Sequence, residues 1–294
     1  MHLTRKSKFS IGAVGLLALL GLARCAIPPD WGANALLHPY RRHAAVSPRD
    51  VGLAEDDLAV TVAPGVELRG WLVRAKTSSS RGLILWMHGV ADSRGSGVGF
   101  AQRYTAEGWD VAAFDARAHG DSGGEFCTYG YAEKHDVPKL LDALAARGAN
   151  AAHTVLMGMS MGASVALQAA PDEPRVRGVI AMAPFSTLWL ASYERKPYVM
   201  SDYTFRASVR RAEEIAKFRV DDIAPVEAVK RLGVPLLLIH GEKDDETPPA
   251  HSQRIYAAAA SAQKRIVIVP GATHRDLLST PAPWGEIETF LQRL

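Results

Sequence analysis

The sequence has little cysteine, little net charge and only one long apolar run. Its two cysteines, Cys25 and Cys127, have no neighbouring ligands at a metal-binding spacing, so no metal site is expected, and no cofactor either. The formal net charge of +3 comes without a basic stripe interleaved with aromatic residues, which gives no reason to expect nucleic-acid binding. The chain has 294 residues, of which 48% are hydrophobic, and this is ordinary for one α/β domain with insertions.

The one long apolar run covers residues 11–23, and three basic residues lie among residues 1–10. A basic region before an apolar region is typical of a secretory signal. The run is short for a full membrane span, which needs about 17–25 residues. Residues 1–26 are therefore predicted to be a signal peptide, cleaved after Ala23, or an uncleaved membrane anchor. The protein is expected to be exported or membrane-anchored, which means extracytoplasmic if it is bacterial, with membrane association through residues 11–23. If residues through Cys25 are removed, no internal disulfide can form.

The rest of the chain alternates strand patterns with helix patterns. Residues 27–57 are predicted to be a linker or an irregular N-terminal arm, and residues 58–294 one domain that opens on an antiparallel hairpin. From residue 83 onward, short continuous apolar runs alternate with helical spacing, which predicts a mostly parallel sheet with helices on both faces. Ligands of such sheets bind beyond the carboxyl ends of the strands. The predicted buried strands are residues 83–87, 109–114, 154–157, 179–183, 234–239 and 265–269.

An aromatic insertion at about residues 187–231 interrupts this alternation. In this architecture it predicts a small cap over the site. The alternative is a surface excursion packed on the edge of the sheet.

The pattern Gly158-x-Ser160-x-Gly162 lies between a predicted buried strand and an alanine-rich helix. Such a G-x-S-x-G elbow holds a serine hydroxyl on a strained turn at a helix N-terminus, where developing negative charge is favoured. A serine needs a neighbouring base, and that base needs an orienting acid. After Ser160, the carboxylates Asp244 and Asp245 follow one strand, and His274 follows the last strand.

Together these motifs resemble the α/β-hydrolase superfamily over about residues 58–294. The chain is most similar to membrane-anchored or secreted serine hydrolases of the prolyl oligopeptidase-like and Bem46-like branch. The residues that carry the resemblance are His88-Gly89, Phe114-Asp115-x-Arg117-x-His119-Gly-x-Ser122, Gly158-x-Ser160-x-Gly162, His240-Gly-x-x-Asp244-x-x-x-Pro248 and Gly271-x-x-His274.

The resemblance implies an α/β-hydrolase fold and a role for each site residue. Ser160 is the implied nucleophile, His274 the general base and Asp244 the orienting acid, which matches the H-G-x-x-D spacing better than Asp245 does. The backbone N–H groups of Met161 and Val90 are the implied oxyanion hole.

Four other polar residues near the strand ends are expected to be structural. His88 and His240 precede glycines in turns, and Asp115 and His119 are expected to brace the floor of the site. His251 lies at the start of a helix and is expected on the surface.

The leading hypothesis is a serine hydrolase that cleaves carboxylic esters or thioesters through an acyl-enzyme, with a small acyl ester, thioester or amide as its substrate. The enzymatic alternative is a serine peptidase or acylaminoacyl hydrolase. The short insertion and the lack of a propeller domain favour esters. The non-enzymatic alternative is a membrane-tethered binding module. The small cap predicts better turnover of short and medium acyl chains.

Overall fold

The computed structural model describes residues 28–294, which form one eight-stranded sheet with helices on both faces. The strands are β1 (Asp56–Ala63), β2 (Val66–Val73), β3 (Gly82–Met87), β4 (Trp109–Phe114), β5 (Thr154–Met159), β6 (Val176–Met182), β7 (Leu236–Gly241) and β8 (Lys264–Val269). Their spatial order in the sheet is β1-β2-β4-β3-β5-β6-β7-β8.

The hairpin β1–β2 joins β4 in antiparallel register, and all pairings from β4 through β3 to β8 are parallel. Exposed and buried residues alternate along β1, as expected for a strand with one wetted face. By contrast, β4 is buried along its whole length. The fold class predicted from the sequence is therefore confirmed.

The helices divide between the two faces of the sheet. The helices are α1 (Pro29–Leu37), α2 (Val98–Ala106), α3 (Val137–Ala146), α4 (Met161–Ala169), α5 (Leu188–Glu194), α6 (Asp202–Ala216), α7 (Pro225–Ala228), α8 (Ala250–Ala258) and α9 (Pro281–Gln292). On β3, Leu83 and Leu85 pack in the layer with α3, α4 and α8, whereas Ile84 and Trp86 pack in the layer with α2 and α9.

Helices α5 and α6 lie in the insertion between β6 and β7 and form a separate apolar cluster with α1. Ala33 and Leu37 of α1 are buried there against Phe205 and Val209 of α6. The approach is close, because Gly32 faces Ser208 with no room for a Cβ atom. The structure thus differs from the expected irregular arm: Pro29–Leu37 is a packed helix.

Within residues 28–294, no helix has the length and apolar character that crossing a membrane requires. The predicted signal or anchor at residues 1–26, and Cys25 with it, lies outside the described residues.

Candidate active site

Ser160 lies on a strained turn between β5 and α4. Its backbone has φ 52° and ψ −112°, a left-handed conformation that costs a non-glycine residue about 1–3 kcal/mol. The turn is held because the Ser160 N–H donates to the Met182 carbonyl oxygen at 2.8 Å. A Cβ atom at Gly162 would collide with the backbone at the end of β3, and one at Gly158 would collide with Gly162 itself. Both glycines are therefore required by close approach of backbone to backbone.

Asp244 and His274 are brought together from the exits of neighbouring strands. Asp244 lies in the turn after β7, His274 lies in the loop after β8, and Oδ2 of Asp244 is 2.6 Å from Nδ1 of His274. A carboxylate only accepts, so Nδ1 carries the hydrogen and Nε2 keeps its lone pair. Asp245 is exposed, in contrast to the buried Asp244.

Asp244 is held ionised by three donors. Thr247 N–H donates to its Oδ1 at 2.8 Å, and Nε2 of the buried His240 lies 3.2 Å from its Oδ2. Burial raises the pKa of Asp244, but the hydrogen bonds from His240, His274 and Thr247 outweigh burial and hold this pKa well below its usual range. His240 Nε2 also lies 2.6 Å from the Thr247 carbonyl oxygen, so Nε2 must carry the hydrogen. His240 is a structural residue, as the sequence predicts, and its fixed tautomer supports the acid.

No hydrogen bond joins Ser160 Oγ to His274 in residues 28–294. Catalytic hydrogen bonds are often long in structures without substrate and tighten when substrate binds. The structure therefore joins two of the three predicted residues directly and places the third at the end of β5, which β6 separates from β7 in the sheet.

The loop that carries Val90 lies beside Ser160 and is held by hydrogen bonds to residues that follow β4. Ala116 N–H donates to Nε2 of the buried His88 at 2.9 Å, and His88 Nδ1 donates to the Gly89 carbonyl oxygen at 2.7 Å. Asp115 is also fully buried, and its Oδ1 accepts from Arg94 N–H at 2.7 Å. Asp115 thus braces the floor of the site, and His88 is a structural residue of the turn after β3, as the sequence predicts for each.

A cavity of about 400 Å³ opens at Ser160. Val90 and Met161 line it beside the serine, while α5 and the residues after it form much of the remaining wall. Helix α1 contributes a further wall with Trp31 and Leu36, which the sequence did not predict. Among the described residues, no three side chains of the metal-ligating types are grouped so as to hold a metal ion.

Comparison with known proteins identifies the family. Residues 78–212 and 189–279 match the family model described as serine aminopeptidase, S33. The chain belongs to this α/β-hydrolase family. The protein YqkD of Bacillus subtilis is 27% identical to this hydrolase over 202 residues, which cover 66% of this chain and 65% of that protein. Protein Bem46 of Schizosaccharomyces pombe is 22% identical over 255 residues, with 85% of this chain and 81% of that protein covered.

Among solved structures, the hydrolase is similar to the Pyrococcus furiosus esterase Pf2001. The TM-score is 0.72 at 23% sequence identity, over 88% of this chain and 98% of that chain. This likeness concerns the fold. Together with the family match, it confirms the superfamily that the motifs indicated.

His251 of this α/β-hydrolase corrects an expectation, because it is fully buried and does not lie on the surface. Its Nδ1 accepts from Ser186 N–H at 2.9 Å and lies 2.8 Å from Ser186 Oγ, while Nε2 contacts Glu194 Oε2 at 2.8 Å. A second serine, histidine and carboxylate are thus lined up in the hydrolase. The contact between His251 and Glu194 links α8 to α5. Because Ser186 is only 1% exposed, substrate cannot reach its hydroxyl.

Cys127 is buried beside the nucleophile elbow, where its Sγ lies 3.5 Å from Sδ of Met161. Burial raises the pKa of this thiol well above its ordinary value. The thiol is therefore held in its unreactive, protonated form.

The buried His119 of the hydrolase predicts a loss of stability in mild acid. Its Nδ1 donates to the Arg117 carbonyl oxygen at 2.7 Å, whereas its Nε2 has no partner among the described residues. Burial, together with the neighbouring His88, lowers the pKa of His119 from 6.5 to about 4. As the pH falls from about 6.5 to 4, the unfolded chain binds a proton that the folded chain refuses, so the free energy of unfolding should fall by up to about 3 kcal/mol.

Urea unfolding at pH 7 and at pH 4.5 measures this loss, and His119→Asn, which keeps a donor for Arg117, is the matched variant. The variant should lose less stability between the two pH values than the wild type. Equal losses in both proteins would show that His119 does not contribute.

Proposed function

We propose that this hydrolase cleaves carboxylic esters or thioesters by a serine acyl-enzyme mechanism, with Ser160 as nucleophile, His274 as base and Asp244 as orienting acid. The observation that carries the proposal is the 2.6 Å contact between Asp244 and His274, at the same sheet edge as the strained Ser160. An ionised, buried acid fixes the imidazole with its Nε2 lone pair available. That lone pair is what a serine hydroxyl requires.

The proposed reaction runs in two halves. In the first, Ser160 Oγ attacks the acyl carbonyl while His274 Nε2 takes the hydroxyl proton, and His274 then returns this proton to the leaving alcohol or thiol. In the second, His274 removes a proton from water, which attacks the acyl-enzyme and releases the acid. The N–H groups of Met161 and Val90 would stabilise the oxyanion in both halves, and loss of one such donor typically costs about 10²–10³ in kcat.

The composition of the cavity favours an apolar acyl group over a peptide amino terminus. Among the described residues, two charged residues line the cavity, Arg195 and Lys196, and both are cations. A peptidase that recognises a free α-amine needs an anionic partner for it, and the cavity wall offers none among the described residues. An amide and an ester of the same acyl group, assayed side by side, distinguish the esterase from the peptidase or acylaminoacyl hydrolase. A higher kcat/KM for the amide would overturn the proposed substrate class.

Labelling with a fluorophosphonate probe tests the nucleophile. We expect the wild-type protein to be labelled on one serine and Ser160→Ala to lose all labelling, because among the described serines Ser160 is the one for which the proposal supplies both a cavity and a base. Labelled peptides identified by mass spectrometry locate the site.

Ser186→Ala is the matched control, since Ser186 Oγ lies 2.8 Å from Nδ1 of His251 in the second group of serine, histidine and carboxylate. It should keep the label. Labelling that survives in Ser160→Ala, or no labelling of the wild type where a known serine hydrolase reacts, would exclude the mechanism and leave a membrane-tethered binding module as the better account.

Acyl-chain selection should depend on the wall formed by α5. Ser192 is half-buried and lines the cavity, so Ser192→Trp should fill part of the space that a medium-length chain needs. Since each methylene in such a pocket is worth about 1–3 kcal/mol, we expect kcat/KM for a medium-chain ester to fall by about tenfold or more relative to an acetate ester. A series of esters of graded acyl length measures the change.

The control for this experiment is Ser192→Ala, which should leave the preference for short and medium chains in place. Unchanged selectivity in Ser192→Trp would mean that the acyl chain lies elsewhere.

A further inference from the structure

Five large exposed side chains surround the part of the cavity that α1 and the α5–α6 connection form. Here they are called the rim, and they are Trp31, Tyr40, Tyr198, Val199 and Tyr203. We propose that the rim rests on the surface of an anionic phospholipid bilayer, so that the cavity faces the lipid. The proposal adds an interaction surface to the protein and does not itself depend on catalysis.

The rim is a concentration of exposed apolar groups. The fractional exposures of its members lie between 57% and 86%. The rim holds five of the eight large hydrophobic side chains that are exposed among the described residues. Single exposed apolar residues are ordinary, but a group beside a cavity marks an interaction surface.

The rim borders the cavity. Trp31 and Tyr40 themselves line it, and so do Pro197 and Met200, the residues on either side of Tyr198 and Val199 in sequence. Tyr203 is in the first turn of α6. The rim residue on α1 and those on the α5–α6 connection belong to one surface, because Gly32 of α1 packs against Ser208 of α6 and lies near Met200.

The chemistry of the rim matches a bilayer surface. Tyrosine and tryptophan are the residues enriched where a membrane meets water, since their rings are apolar and their polar atoms stay hydrated. The segment 194–211, which carries three rim residues, has five lysines and arginines against two carboxylates. Three of these cations pair with carboxylates, which leaves Arg206 and Arg210 without a carboxylate partner among the described residues. A basic surface with aromatic side chains binds anionic lipids through both contributions.

The sequence supplies a reason to choose lipid over a protein partner. The apolar residues 11–23 end five residues before α1 begins at Pro29. A fully extended chain of five residues spans at most about 18 Å. If residues 11–23 enter a bilayer as predicted, Trp31 in the first turn of α1 is held close to the same surface. A bilayer that holds residues 11–23 would therefore already lie next to the rim, whereas a protein partner would have to bind separately.

An environment-sensitive label on the rim tests the contact directly. In the full chain with Cys25→Ser, we would introduce Tyr203→Cys, attach the fluorophore NBD and add vesicles of phosphatidylcholine with phosphatidylglycerol. Cys127 is buried and should stay unlabelled under native conditions. We expect a blue shift and a several-fold rise in NBD emission with anionic vesicles.

The matched control is Leu294→Cys. Leu294 is also exposed, but it packs near Gly178 at the start of β6, at the end of the sheet opposite to Ser160. No response is expected there. Equal responses at the two positions, or none at Tyr203→Cys, would overturn the proposal, and the second result would fit a protein partner instead.

A kinetic comparison gives a second readout, and this one rests on the proposed esterase function. The variant Tyr198→Ser/Val199→Ser/Tyr203→Ser changes only rim residues that do not line the cavity. We expect its kcat/KM to fall about tenfold for an ester embedded in anionic vesicles and to stay within about twofold for a dissolved ester, while Leu294→Ser changes neither. An equal fall on both substrates would contradict the role of the rim. If no ester is turned over, the proposed function fails while the NBD measurement still decides the docking surface.

Discussion

Replacing His274 with alanine is expected to lower kcat for an ester substrate by about 10⁶, because removing the base of a serine hydrolase costs nearly as much as removing the whole triad. Without His274 Nε2, the proposed mechanism has no base to take the Ser160 proton at neutral pH. The His274 side chain is only 12% exposed, but among the described residues its side chain hydrogen-bonds to Asp244 alone, so the fold should persist. Steady-state kinetics, with circular dichroism to verify folding, provide the measurement.

The control for this variant is His43→Ala. His43 also pairs with an aspartate, at 2.7 Å from Asp121, but its side chain is 67% exposed and does not line the cavity at Ser160. Its loss should leave kcat within about twofold, because an exposed pair of this kind contributes little to stability and His43 has no part in the proposed mechanism. A His274→Ala protein with near wild-type kcat would remove His274 from the reaction altogether.

Asp244→Asn is expected to lower kcat by about 10⁴ while leaving the protein folded. If the asparagine Oδ1 accepts from Thr247 N–H, its NH₂ group takes the place of Oδ2 and faces both His240 Nε2 and His274 Nδ1. That contact needs a lone pair on Nδ1, which moves the hydrogen to Nε2 and leaves no base for Ser160. The loss should therefore appear in kcat with little change in KM.

Asp245→Asn provides the matched control, since it makes the same chemical change at the next, exposed position. It should leave kcat unchanged within about twofold. If Asp245→Asn were the damaging variant and Asp244→Asn the mild one, the acid would have been assigned to the wrong residue of the pair.

The sequence predicted the sheet and the contact between Asp244 and His274 for the same reason. In a parallel sheet, each buried strand is a continuous apolar run, and the residue after the run is placed at one common edge. Because Ser160, Asp244 and His274 each follow an apolar run of this kind, the sequence places all three at the same edge of the sheet. Local sequence specifies both, so little tertiary information was needed.

The two features that sequence reasoning missed both depend on contacts between distant segments. Helix α1 is short, and its buried Ala33 and Leu37 gain their partners from α6, more than 160 residues along the chain. The burial of His251 likewise comes from Ser186 and Glu194, which precede it by more than 50 residues. No local periodicity records such contacts. Sequence patterns likewise could not predict that Ser160 and His274 are not hydrogen-bonded in the described structure, because that depends on how distant loops place their side chains.

The position of α1 limits where a protease can separate the enzyme from its amino-terminal segment. A cut before Pro29 leaves the cavity wall complete, because Trp31 and Leu36 stay attached. A cut after Leu37 would release a helix that covers Phe205 and Val209, exposing apolar surface and opening the cavity on one side. Amino-terminally trimmed forms that retain activity are therefore expected to begin upstream of α1, and limited digestion of the pure protein should show α1 protected together with α6.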